Sequence, residues 1–142
     1  MNLVVDTNIV FSAILNTNSR IANILTKPDS GLIFHAPTYL LSELVEHRQK
    51  LKKALKLSTS EILELTHLVT HRIHFIEEEQ VSSQNWITAD QLTAAVDSDD
   101  IAFVALALEL KCALWTGDKK LQREISDIEI LSTNLLEGMI KS

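Results

Sequence analysis

Cysteine is almost absent from this chain of 142 residues: Cys112 stands alone. A disulfide framework within the chain is therefore excluded, and a reducing cytoplasm is the expected location. Cys112 lies in an apolar run and reads as a small buried hydrophobe. Glycine is nearly as scarce, with only Gly31, Gly117 and Gly138. None follows the first strand-like run, so a glycine-rich phosphate loop of the Rossmann or P-loop kind is not expected. No apolar run approaches the roughly 18 residues that span a membrane. The opening Met1-Asn2-Leu3-Val4-Val5-Asp6 lacks a basic region, an apolar stretch and a small-residue cleavage site, so no signal peptide is expected.

What is present is a chain with enough apolar content, 46%, to build a core, at a length that fits one domain spanning residues 1–142. Short apolar runs alternate with helical periodicity. Leu3–Asp6, Leu32–His35, Arg72–Ile76, Ala113–Thr116 and Ile128–Leu131 read as strands. Thr7–Leu15, Arg20–Thr26, Thr38–Leu55, Ser58 to about Thr70, Thr88–Val96, Asp99 to Leu110, Lys119–Glu124 and a last segment from Asn134 read as helices. Pro37 is placed to start the long third helix, with Leu40, Leu44, Leu51 and Leu55 on one stripe. Ser58 and Glu61 have capping-box spacing. The alternation predicts a three-layer α/β/α domain, with a central, mainly parallel sheet of four to five strands flanked by helices.

Four carboxylates fall where strands give way to helices, or close to a helix start: Asp6, Glu43, Asp100 and Asp118. Ligand crevices of open α/β sheets lie beyond the carboxyl ends of the strands, so these acids are expected to meet in one pocket. Each has an ordinary alternative. Asp6, Asp99 and Asp100 suit helix N-termini, and Asp118 suits a turn after Gly117. Glu43, set among Leu40, Leu41 and Leu44, is harder to explain structurally. Clustered carboxylates repel and drive one another to protonate unless a cation neutralises them. A hard divalent metal with oxygen ligands, Mg²⁺ or Mn²⁺, resolves that conflict. Such ions suit phosphodiester hydrolysis, which needs an activated water and neutralisation of developing charge. An aspartyl phosphatase usually carries a second Asp two positions after the first; here that residue is Asn8.

Net charge is −6, awkward for an enzyme of nucleic acids. The excess matches the six candidate acids Asp6, Glu43, Asp97, Asp99, Asp100 and Asp118; without them, acids balance the 13 Lys and Arg. Arg48, Lys50, Lys52, Lys53 and Lys56 cluster after Glu43, as a phosphate-contacting strip or a solvated helix face. Lys119 and Lys120, directly after Asp118, are further candidates to meet a phosphate. His67 and His71 are four apart, as zinc ligands can be, but no cysteine or metalloprotease glutamate accompanies them. Trp115 precedes the Thr116-Gly117-Asp118 turn, where its indole could wall the site; Trp86 has no clear place.

In order and spacing these blocks resemble the PIN domain nucleases over essentially the whole chain. The likeness rests on Val4-Val5-Asp6-Thr7-Asn8, on Pro37 followed by Leu41-Ser42-Glu43-Leu44, on Asp97-x-x-Asp100 before an Ala/Leu-rich helix, and on Thr116-Gly117-Asp118-Lys119-Lys120-Leu121. The resemblance implies a PIN-like fold that binds Mg²⁺ or Mn²⁺ and cleaves RNA. It implies Asp6, Glu43, Asp100 and Asp118 as the acidic quartet, with Asn8 and Thr116 orienting acids or water; Asp97 and Asp99 stay open as further metal contacts. A compact PIN protein of this kind looks most like the VapC-like toxin of a toxin–antitoxin pair. An antitoxin would then lie in an apolar groove between the helices bearing Ile21, Ile24, Leu25, Leu41 and Val45, and a homodimer is a further expectation. The expected activity is thus a metal-dependent endoribonuclease. A non-catalytic PIN-fold interaction or RNA-binding module is the alternative, which the four acids disfavour, and a metal-dependent phosphatase is a weaker one.

Overall fold

Leu3, Val4 and Val5 are all fully buried, as a strand covered on both faces requires. In the computed structural model, which describes residues 1–141, they form β1 (Asn2–Val5) at the centre of a five-stranded sheet. Its neighbours are β2 (Ile33–Pro37) and β4 (Ala113–Trp115), with β3 (Ile73–Ile76) beyond β2 and β5 (Ile130–Leu131) beyond β4. Every pairing is parallel, with Val4 opposite His35, Val5 opposite Trp115, and Pro37 opposite Ile76. The chain lays down β1, β2 and β3 in one direction, then returns to the far side of β1 for β4 and β5. That reversal opens a crevice beyond the carboxyl ends of β1 and β4.

Helices cover both faces. α7 (Ile101–Leu110) packs across β1, β2 and β4, and its Phe103, Val104, Ala105, Leu106 and Ala107 are buried. A helix apolar on nearly every side needs a second cover, which α6 (Ser83–Leu92) provides. α1 (Thr7–Leu15) buries Ile9, Val10, Ala13 and Ile14, and is surrounded by α2 (Arg20–Thr26), α3 (Tyr39–Glu46), α4 (Arg48–Leu55) and α5 (Thr59–Thr70). α8 (Lys119–Glu124) and α9 (Thr133–Lys141) pack beside β5. Helix starts follow their capping side chains. Ser19 caps α2, and Ser58 and Glu61 form a reciprocal capping box on α5, each cap contributing about 1 kcal/mol.

Three elements depart from the sequence reading. The expected helix over Thr38–Leu55 is two helices that bend at His47, whose ring packs edge-on against Phe11 of α1 with centroids 6.1 Å apart. The leucine stripe continues across the bend, so periodicity does not reveal it. Pro37 ends β2 instead of opening a helix, and the next residue, Thr38, donates its N–H to the Ile76 carbonyl at 3.1 Å. α6 starts at Ser83, not Thr88: the polar Ser82-Ser83-Gln84-Asn85 run contains its N-cap, with Ser82 accepting from the Asn85 N–H. Among the described residues no helix is long and apolar enough to cross a membrane.

Candidate active site

Asp6 follows the last residue of β1 and is almost fully buried. Its carboxylate caps α1 by accepting the Thr7 N–H at Oδ1 (2.8 Å). Oδ2 accepts the Thr116 hydroxyl (2.7 Å) and, more weakly, the Asn8 amide (3.3 Å). Thr116 follows β4, so this bond ties the carboxyl ends of the two central strands together across the switch point. The Asn8 amide also donates to Thr116 Oγ1 (3.2 Å), and its Oδ1 accepts the Gly117 N–H (3.0 Å). Thr116 Oγ1 in turn accepts the Asp118 N–H at 3.0 Å. Asp118 caps α8, its Oδ1 accepting from the N–H groups of Lys120 (2.8 Å) and Leu121 (3.3 Å). Thr7 completes the chain by donating its hydroxyl to Glu43 Oε1 at 2.6 Å.

Asp100 is the exception. It ends a short 3₁₀ turn, Ser98–Asp100, immediately before α7, and is buried. Its Oδ2 has no hydrogen-bond partner among the described residues, and a buried oxygen left unsatisfied is costly. Burial, followed by the negative charges of Asp6, Asp118, Asp97 and Asp99, pushes its carboxyl up to about 7. Glu43 and Asp6 are also pushed up, chiefly by burial. Hydrogen bonds from Thr7 to Glu43, and from Thr116 and Thr7 to Asp6, hold those shifts in check. Asp97 Oδ1 accepts the Asp99 N–H at 3.0 Å, and Asp99 Oδ1 accepts the Tyr39 hydroxyl at 2.8 Å. That bond is the main reason the Tyr39 phenol is pushed up to about 12.

A cleft of about 360 Å³ gathers Asp6, Glu43, Asp97, Asp99 and Asp100, with Phe11, His47 and Lys50 also on its walls. Asp118 does not line it but is near enough to raise both Asp6 and Asp100. The basic candidates are elsewhere. Lys52 and Lys53 line a separate cleft with Lys50 and Lys56, Arg48 is the half-buried first residue of α4, and Lys119 and Lys120 are exposed at the start of α8. Lys50 is the cation that reaches the acid cleft, its Nζ 5.9 Å from the centre of the Phe11 ring. His47 and Tyr39 were not singled out by the sequence, because their relevance depends on the bend after α3 and on the Asp99 turn. Trp115 does not wall the site: it is fully buried, near Phe34, and its indole N–H donates to Thr133 Oγ1 at 3.1 Å. Nor do Ile24 and Leu25 form a groove with α3. Both are buried in the core, whereas Leu41 and Val45 remain exposed.

The carboxylates in the cleft, with hydroxyls and an amide behind them, form a hard oxygen donor set that suits Mg²⁺ or Mn²⁺; His47 adds an imidazole on the wall, and no thiol lines the cleft among the described residues. The unpartnered Oδ2 of Asp100 fits that use. As placed, no three His, Cys, Asp or Glu side chains among the described residues converge on one coordination sphere; the fold brings Asp6, Glu43, Asp97, Asp99 and Asp100 to one cleft, with Asp118 beside it.

A PIN domain family profile matches residues 4–133. A search of curated sequences finds no match. Among solved structures, the fold is similar to VapBC2 from Rickettsia felis bound to a DNA fragment from its promoter, with TM-score 0.68 and 18% identity over 93% of this chain and 98% of that one. It is also similar to VapBC-1 from nontypeable Haemophilus influenzae, with TM-score 0.68 and 19% identity over 94% and 99% of the two chains. DNA-bound VapBC from Salmonella typhimurium gives TM-score 0.69 and 18% identity over 94% and 98%. With the profile spanning nearly all of the sequence, the chain belongs to the PIN domain family, whose members are nucleases.

Proposed function

We propose that this PIN domain, as a single unit over residues 1–142, is a Mg²⁺- or Mn²⁺-dependent endoribonuclease and the toxin of a toxin–antitoxin pair in the cytoplasm. The observation that carries the nuclease reading is Asp100: a buried carboxyl, one oxygen unpartnered, facing the charge of four other acids. Asp6, Glu43, Asp100 and Asp118 would hold the ion, with Asp97 or Asp99 as a further contact. Once bound, the ion supplies a nucleophilic water at neutral pH and offsets charge developing on the phosphate. The chain's own residues do the positioning. Thr116, Thr7 and Asn8 fix the Asp6 carboxylate, Thr7 orients Glu43, and the first turn of α8 holds Asp118. Lys50 offers the only ammonium on the cleft walls among the described residues, suited to a backbone phosphate. The likeness to VapBC structures, together with exposed Leu41 and Val45 on α3, supports an antitoxin or a second copy as protein partner.

Incubating the purified protein with structured and unstructured RNA, in Mn²⁺ and in EDTA, tests this reading. Internal cleavage in Mn²⁺ alone is expected. Cleavage that survives EDTA would remove the metal requirement. A folded protein that binds RNA without cutting it would favour the non-catalytic module, and release of phosphate from monoesters alone would favour a phosphatase.

A further inference from the structure

A cavity of about 610 Å³ beside the acid cleft has no part in the proposed reaction. It lies beyond the carboxyl ends of β2 and β3, with the paired Pro37 and Ile76 at its base. Asp99 lines both spaces, and the Tyr39–Asp99 hydrogen bond stands between them. Ile76, Val81 and Ile101 give it apolar walls, and Trp86 contributes an indole that is only half-buried. No Lys or Arg among the described residues lines it. Its charged groups are all acceptors. The Glu77 and Asp99 carboxylates are already engaged, by the Gln80 N–H and the Tyr39 hydroxyl, whereas those of Glu78 and Asp90 make no hydrogen bond or ion pair among the described residues.

We propose that this cavity is a base-binding pocket for a nucleotide next to the scissile phosphate, and that it selects guanine. A phosphate is repelled by four carboxylates with no cation among them. A flat π-system stacks on an indole between aliphatic walls. Free carboxylates then choose the base by its donor edge. Guanine presents two adjacent donors, N1–H and N2–H, which one carboxylate accepts together. Adenine and cytosine offer an amino group beside a ring-nitrogen acceptor. Uracil's single N–H lies between two carbonyls, which the carboxylates repel. The shared Asp99 makes the pocket continuous with the acids, so a base seated there places its own phosphate at the cleft.

The choice of an RNA base rests on the ribonuclease reading, so the test separates the two by omitting metal and catalysis. The chain has two tryptophans, Trp86 and Trp115. Guanosine, adenosine, cytidine and uridine are titrated in EDTA against the full chain while the two indole N–H resonances are followed by NMR. The Trp86 resonance is expected to move saturably, most strongly with guanosine and least with uridine. Trp115, buried against Thr133, stays put as the internal control. Asp90→Asn or Glu78→Gln, both at exposed positions, should weaken guanosine binding roughly tenfold while leaving uridine binding no weaker. A Trp86 resonance that ignores all four nucleosides, or answers all four equally, overturns the proposal even if the protein cuts RNA. A resonance moved only by a co-purified protein partner also overturns it and makes the cavity a protein contact. Guanosine binding by a protein that never cuts RNA would keep the pocket and remove the nuclease reading instead.

Discussion

Two charged clefts meet at Lys50, one lined by Asp6, Glu43, Asp97, Asp99 and Asp100, the other by Lys52, Lys53 and Lys56. In the first, Asp6 and Asp100 are buried, and Asp6 and Glu43 accept hydrogen bonds from Thr7 and, for Asp6, also Thr116. In the second, the lysines form no ion pair among the described residues, and Lys53 and Lys56 are exposed. Packed charge sets geometry to a few tenths of an ångström and is costly to keep ionised. Charge on flexible stems supplies a field and little shape. The acid cleft therefore suits the reacting atoms, and the lysine cleft suits the rest of a long polyanion.

The comparison breaks most sharply at Asp6. Asp6→Asn should remove Mn²⁺-dependent cleavage by more than the roughly 10–100-fold typical of supporting groups. It should leave the metal-free fold as stable or more so, because the raised Asp6 carboxyl shows that its charge is disfavoured there. Unchanged Mn²⁺ affinity by calorimetry would exclude Asp6 as a metal ligand. Thr116→Val comes next, since that hydroxyl donates to Asp6 and accepts from Asp118 and Asn8. We expect cleavage to fall about 10–100-fold and stability to fall by about 1–3 kcal/mol, read from kinetics and urea unfolding of the same preparation.

Proton linkage sharpens the contrast further. The Asp100 carboxyl rises from 3.8 to about 7 on folding, so the folded state holds the extra proton between those values. Its contribution favours the fold at acid pH and is lost as pH rises toward 7; Asp6 and Glu43 act in the same direction. Metal-free protein should therefore lose roughly 3–6 °C in Tm from the acid side of that window to the neutral side. Asp100→Asn should flatten the profile; an equally steep one would place the proton elsewhere. The smallest effect belongs to the lysine cleft. Lys52→Ala with Lys53→Ala should weaken RNA binding and lower the salt slope by about 0.7 for each phosphate that is no longer neutralised, with kcat unchanged. A salt slope unchanged by both substitutions would reduce the strip to a solvated helix face.

Much of the architecture was readable because buried strands and capped helices carry local signals. α1, α2 and α8 begin and end where periodicity and capping place them, and Ser58 with Glu61 marks the start of α5. What escaped depends on contacts remote in sequence. The bend at His47 rests on Phe11, and Trp115 turns to Thr133 instead of the crevice. The placing of Asp6 and Asp118 just beyond strands was legible because each follows a short apolar run. The separate states of the acids were not: one acid satisfied by Thr116 and another left with a bare oxygen look alike in a sequence. Nor could spacing rank Lys50 above Lys52 and Lys53, since only the turn of α4 relative to α1 decides which lysine meets the acids.

The bond from Thr116 to Asp6 joins residues 110 positions apart, and it has a bearing on synthesis. A ribosome emits this chain from the Asp6 end, so β1, β2 and β3 can associate while the other half of the crevice is still untranslated. Neither Thr116 nor Asp118 exists at that stage, and Asp6 has no neighbour on its β4 side. Asp118 joins the other acids only once β4, which follows α7 in the chain, lies beside the first strand. A chain stalled before β4 would carry Asp6, Glu43 and Asp100 without the hydroxyl that holds Asp6 or the Asp118 carboxylate.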